Sequence, residues 1–188
     1  MELRSLHGPT NFLLVSHMNN AFNNPKGHPD RIDWDRIAKQ CLNVADELAE
    51  IFVAMGADKA SARLLAHNFK NNLESLRQEG TKEINLDGVR DGLCDVHVFT
   101  YGAHHLMGID ADADMQSCVN GVMTRFIKDD EDLKDTVIMH ASKGVVKTYL
   151  EGEFPTKVLK SAEDQPDAPK GKFLKSASYQ EPVYYKVT

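Results

Sequence analysis

NLDGVRDGLCDVHVFTYGAHHLMG, residues 85–108, is the stretch on which the reading of the fold turns. From Leu93 onward it is largely apolar, and it stops at Gly108. Its length predicts a helix of about six turns. Asp91 and Asp95 lie one turn apart and so share a face of that helix. Aspartate has poor helix propensity and is costly to bury without a neutralising partner. Two aspartates aligned inside a core-like helix therefore need a counter-charge, and a bound cation supplies one. Acids with matching spacing lie upstream, in Asp46-Glu47-Leu48-Ala49-Glu50.

Working outward, residues 10–22 read as a short first helix with Phe12, Val15, Asn19 and Phe22 on one face. The Pro-, Gly- and Asn-rich segment NNPKGHPDRI is loop. Asp33 caps a second helix that ends near Gly56, with Trp34, Ala38, Cys41, Ala45, Leu48 and Phe52 as its core stripe. Asp58 caps a third, to about Glu79, with Gly80 as the stop. Its apolar positions are Leu64, Leu65, Phe69, Leu73 and Leu76. Its polar face carries Arg63, Lys70, Asn71 and Arg77. Residues 85–108 are the fourth helix. Asp110 caps a fifth, through about Phe126. Residues 129–143 form a sixth, with acids at its start and a lysine at its end, as the helix dipole prefers. After Gly144 the short runs VVKTYLEGEF, TKVLKS and GKFLKS favour strands, joined by turn-rich AEDQPDAPK. They predict a hairpin or meander and an extended tail through Tyr179, Pro182 and Tyr185. The expected architecture is thus mainly α. A helical domain spans residues 1–143, and a β-hairpin with extended tail spans 144–188.

The 188 residues fit one domain with a small appendage. Hydrophobic content of 41% and charged content of 27% are ordinary for a globular chain. A formal net charge of -6 argues against broad binding of nucleic acid or anionic membrane, since both need a positive field. A local basic patch can still hold one phosphate chain. Cys41, Cys94 and Cys118 form no CxxC and read as reduced core residues of a cytoplasmic protein. The opening MELRSLHGPT has no signal-peptide pattern, and no run approaches a membrane span.

Glu47 and Glu50 are three apart on one helix, and Asp91 and Asp95 four apart on another, so each pair points one way. Packed face to face, the two helices gather four carboxylates. Such oxygen clusters suit hard cations, and Mg²⁺ binds through a few carboxylates plus substrate phosphates. The plainer reading of Glu47 and Glu50 is a solvated helix face. For Asp91 it is a frayed first turn, and for Asp95 a structural hydrogen bond. Asp46 reads as facing solvent or capping a neighbour. His97 does not share a face with Asp95, the adjacent His104 and His105 diverge, and no HExxH is present, which argues against a zinc site. The apolar neighbours of Cys94 and Cys118 argue against an activated thiol. No Gly-rich phosphate loop of the GxxxxGK[ST] or GxGxxG type exists.

These residues resemble the all-α nucleoside triphosphate pyrophosphohydrolases. This is the MazG-like superfamily, which also holds phosphoribosyl-ATP pyrophosphohydrolases and dCTP pyrophosphatases. The family's mark is ExxE on one helix and ExxD on a later one, jointly holding Mg²⁺. Glu47-x-x-Glu50 matches the first half. In the second half Asp95 matches the aspartate, but Gly92 stands where the glutamate should be, with Asp91 one turn before Asp95. Phage-type members are similar in the segment Ser16–Phe22, in DGLCDV followed by MGID, in MTRF at Met123–Phe126, and in the C-terminal GKFLKSASYQEP. Some of them, called MazZ, convert (d)GTP to (d)GMP for 2-aminoadenine DNA synthesis.

The resemblance implies hydrolysis of a nucleoside triphosphate to the monophosphate and pyrophosphate, with (d)GTP as a candidate substrate. It implies Mg²⁺, with Mn²⁺ as a substitute, on Glu47, Glu50, Asp91 and Asp95. Glu47, Glu50 and Asp95 would be catalytic, one glutamate orienting or deprotonating the water. Arg125 and Lys128 are the candidates for the phosphate tail, against a surface role. Asn19 is a candidate to read a base edge and Phe22 to stack on it, against core packing. Asn120 is a candidate sugar or phosphate contact. A homodimer or homotetramer is expected, in the cytoplasm of the cell or of a phage host. The alternative is a catalytically silent nucleotide-binding or helical interaction module of the same fold.

Overall fold

The computed structural model describes residues 10–80 and 83–184. The expected tail position Tyr185 lies outside them. The chain is mainly helical, with one small antiparallel hairpin near its C-terminus. It divides into two compact units, Gly27–Asp95 and the residues up to Lys26 together with those from Val96 on.

Within Gly27–Asp95, the helices α2 (Trp34–Ala54) and α3 (Lys59–Glu79) form a packed hairpin. The Asp33 side chain accepts from the Arg36 amide and that of Asp58 from the Ser61 amide, so both caps act as the sequence predicts. Gly56 takes φ +104 just past α2, a conformation that glycine adopts without steric cost. The core stripe expected on α2 is a correction. Ala45 is buried, but Cys41 is exposed, Leu48 is 45% exposed and Phe52 57%. On α3 only Ala66 is buried, while Leu64, Leu65, Phe69, Leu73 and Leu76 are exposed. The periodicity marks an apolar face correctly, but in this chain that face lies open.

α4 (Leu86–Met107) runs across the division between the units. It carries no buried residue, and among the described residues its backbone runs close to that of no other helix or strand, with Tyr101 reaching Asn11 and Asp112 through its side chain. The premise of a core-buried acid pair is therefore corrected. Asp91 and Asp95 are exposed in the single chain. Cys94 is exposed too and Cys118 half-buried, so the cysteines are not core residues here.

In the other unit, α1 (Asn11–Ala21) packs on α5 (Ala111–Met123), and α6 (Asp130–Ser142) precedes the hairpin. α5 ends before the expected Phe126. The Thr124 hydroxyl donates to the Gly121 carbonyl at 2.7 Å and caps it there. Strands β1 (Thr148–Glu151) and β2 (Val158–Ser161) pair with Thr148 opposite Ser161 and Glu151 opposite Val158. GKFLKS is not a third strand but an isolated bridge of Phe173 to Lys160, with the Leu174 amide donating to the Leu159 carbonyl. Ile127, Val145, Leu159, Ala168 and Leu174 form the core beneath it. Burying such a branched aliphatic side chain contributes about 1.5–3 kcal/mol.

Buried polar groups tie the tail to α5 and α6. Asp132 accepts from the Ser178 amide and hydroxyl and from the Lys128 amide, each at 3.0 Å. Thr136, fully buried, accepts from the Ala177 amide at 2.8 Å. The Ser117 hydroxyl exchanges hydrogen bonds with both backbone groups of Val183. The tail is thus held to its own chain as far as Val183. Among the described residues no helix is long and apolar enough to cross a membrane.

Candidate functional site

The α2–α3 hairpin ends in a groove of about 690 Å³ lined by Asp46, Glu50, Lys59 and Arg63 together with Ala49, Val53, Ala54 and Ala66. Its apolar lining is small, three alanines and a valine. Lys59 and Arg63 are one turn apart on α3 and so present two cations on one face. Asp46 is drawn to Lys70 of α3 at 2.6 Å, a cross-hairpin pair rather than a free ligand. Carboxylate beside paired cations is a chemistry that accommodates a hard cation and the phosphate oxygens it neutralises. The sequence reading left Lys59 unassigned and placed Arg63 only on a polar face. Their i, i+4 spacing opposite the ExxE is the signal that could have marked them.

Asp91 and Asp95 do not line this groove. A separate apolar groove of about 910 Å³ brings Gly88 and Val89 of α4 beside Trp34, Ile37, Ala38 and Cys41 of α2. From Cys41, Glu47 lies about 9 Å and Glu50 about 14 Å further along the helix axis. Among the described residues, no three His, Cys, Asp or Glu side chains converge on a point that would hold a metal ion. Glu50 and the pair Asp91 and Asp95 are thus not brought into one groove of the single chain.

The other candidates are dispersed. Asn19 turns its amide nitrogen back to the Val15 carbonyl at 2.9 Å and accepts from Asn24 at 2.6 Å. The Phe22 ring sits 4.5 Å from Phe126 and 5.1 Å from Phe173, so its faces belong to an aromatic cluster. Asn120 accepts from Gln116 at 2.9 Å and lines a shallow groove with Pro182 and Val183. Lys128 is exposed. Arg125 lines a separate cavity with Lys143 and Lys175. His104 bonds the Thr100 carbonyl of its own helix at 2.9 Å. Tyr101 of α4 is linked by side-chain hydrogen bonds to Asn11 and Asp112. No protein-family model, curated protein or solved structure matches this chain.

Proposed function

We propose that the chain is a Mg²⁺-dependent nucleoside triphosphate pyrophosphohydrolase whose site is completed by assembly. One observation carries this reading: Glu50 shares a groove with Lys59 and Arg63. The cations match the phosphate chain of a triphosphate, and Glu47 with Glu50 supplies oxygen ligands. Gly88 and Val89 of α4 share a groove with the first half of α2, away from Glu50, so on this reading Asp91 and Asp95 of a second copy would complete the site. The open apolar faces of α2, α3 and α4 are the surface that such a copy would cover. A homodimer or a homotetramer would bring such a second copy. Bound there, Mg²⁺ would neutralise the phosphates and acidify a water. Glu47 or Glu50 would orient that water for attack on the α-phosphorus. The α–β anhydride bond breaks, and the products are a nucleoside monophosphate and pyrophosphate. A purine substrate such as (d)GTP follows from the family resemblance alone.

The test is pyrophosphate release from a panel of ribo- and deoxyribonucleoside triphosphates with Mg²⁺. Asp95→Ala is expected to lower it by about 100-fold or more, because even groups that only orient metal ligands are worth about 10–100-fold. Helical circular dichroism should be unchanged. Unaltered turnover in that variant removes the carboxylate argument. The second reading, a silent nucleotide-binding module, is favoured by Gly92 in place of the family glutamate. Calorimetric binding of a triphosphate with no monophosphate formed would select it.

A further inference from the structure

The cavity between the end of α6 and the 172–181 segment belongs to neither acid pair. It encloses about 510 Å³, within the usual range for small-molecule sites. Arg125, Lys143, Lys172 and Lys175 line it, against the carboxylates of Asp167 and Glu181. That is a local excess of cations in a chain whose formal net charge is -6. A concave cavity focuses such a field on whatever enters.

Three of these cations have donors to offer. Arg125 Nε is shielded from solvent and has no hydrogen-bond partner among the described residues. A shielded donor without an acceptor is rare in native structures. Lys143 enters no ion pair among the described residues. Lys172 donates to the Asp167 carbonyl at 2.6 Å, which engages one of its three N–H groups. Lys175 is held by Glu181 at 2.6 Å and lies 4.2 Å from the Tyr179 ring, with the Arg125 guanidinium 5.7 Å from the same ring. The wall itself is fixed. Buried His140 bonds the Lys175 carbonyl at 2.8 Å, and the Thr136 and Asp132 bonds hold Ala177 and Ser178. A preorganised set of donors binds without first being ordered.

We propose that this cavity binds a multiply charged phosphoryl anion, either inorganic pyrophosphate or the phosphate chain of a nucleotide. Arginine's fork and the compact lysine ammoniums are the groups that hold phosphate oxygens. The Tyr179 ring is covered by the chain's own cations, so the phosphates rather than a base are recognised. The inference does not rest on the hydrolase reading: the α2–α3 groove carries Lys59 and Arg63, while Arg125, expected from the sequence at a phosphate tail, lines this other cavity.

Calorimetric titration of the full chain, without Mg²⁺ and at fixed ionic strength, tests it. The probes are pyrophosphate, dGTP and sulfate. Saturable pyrophosphate binding is expected to persist in an E50Q/R63Q variant, which removes the α2–α3 groove as the binding site. It should weaken about tenfold in Lys143→Gln, whose exposed side chain is not needed to fold, and in Arg125→Gln. Glu181→Gln should tighten it, because a competing carboxylate is gone. Binding of pyrophosphate but not dGTP identifies the free anion as ligand, and comparable binding or dGTP alone identifies the nucleotide's chain. Absence of saturable binding, equal affinity for sulfate, or indifference to both Lys143→Gln and Glu181→Gln overturns the proposal.

Discussion

Asp132 is a residue whose loss should be costly to the unit that holds α5 and α6. Its carboxylate is shielded, and three donors from two segments point at it. Asp132→Ala leaves the Ser178 and Lys128 amides without acceptors, at an expected cost of about 2–3 kcal/mol, read as a lowered urea midpoint. Glu74 behaves differently, because it is only half-buried and its partner is a cation. The Arg77 guanidinium holds its carboxyl down at about 2, from an ordinary 4.5. A lowered folded-state value means the pair favours folding above about pH 4.5 and ceases to as pH falls through about 2. NMR titration of the Glu74 carboxyl should show that depressed midpoint in the native chain and its rise towards the ordinary value in Arg77→Gln, with the Gln78 hydrogen bond still lowering it.

At the scale of elements, two glycines are fixed by what a side chain would strike. A Cβ on Gly121 of α5 would lie 3.0 Å from the Pro182 ring and 3.1 Å from the Gln180 carbonyl. Gly121→Ala should therefore loosen residues 180–184 and speed amide exchange at Val183, which donates to Ser117. Gly152 takes φ +80 in the β1–β2 turn, and a Cβ there would lie 2.8 Å from the Thr156 carbonyl. Gly152→Ala should destabilise by about 1–3 kcal/mol in the same urea assay. Elements of this kind were largely legible in the sequence. Asp33, Asp58 and Asp110 each cap the helix expected of them, because an N-cap is chemistry within four residues. The tail was less legible. GKFLKS has the composition of a strand, but only Phe173 and Leu174 meet β2. The rest of the segment is held through Ser176, Ala177 and Ser178, whose partners lie some 40 to 50 residues upstream in Thr124, Thr136 and Asp132. No local pattern announces such pairings.

At the scale of the whole molecule, the unfinished business is apolar surface. Phe52, Leu65, Phe69 and Phe99 are each more than half exposed. Periodicity told which side of each helix is apolar, but not whether the same chain covers it. The candidate site suffered the same limit: ExxE and the Asp91/Asp95 pair each share a face, while the relation between the pairs depends on packing that spacing does not encode. Sedimentation should show a dimer or larger species, and Phe69→Asp with Leu65→Asp should shift it to monomer and abolish turnover. Equimolar mixing of Glu50→Gln and Asp95→Asn chains should restore activity that neither has alone, since one intact groove can then draw on another copy's acids.

The most direct measurement is product analysis of a nucleoside triphosphate incubated with the full chain and Mg²⁺, read by phosphorus NMR. Monophosphate and pyrophosphate appearing in equal amounts, and disappearing with Asp95→Ala, is the expected result. Orthophosphate and diphosphate as products, or an unchanged triphosphate across the whole panel, would contradict it.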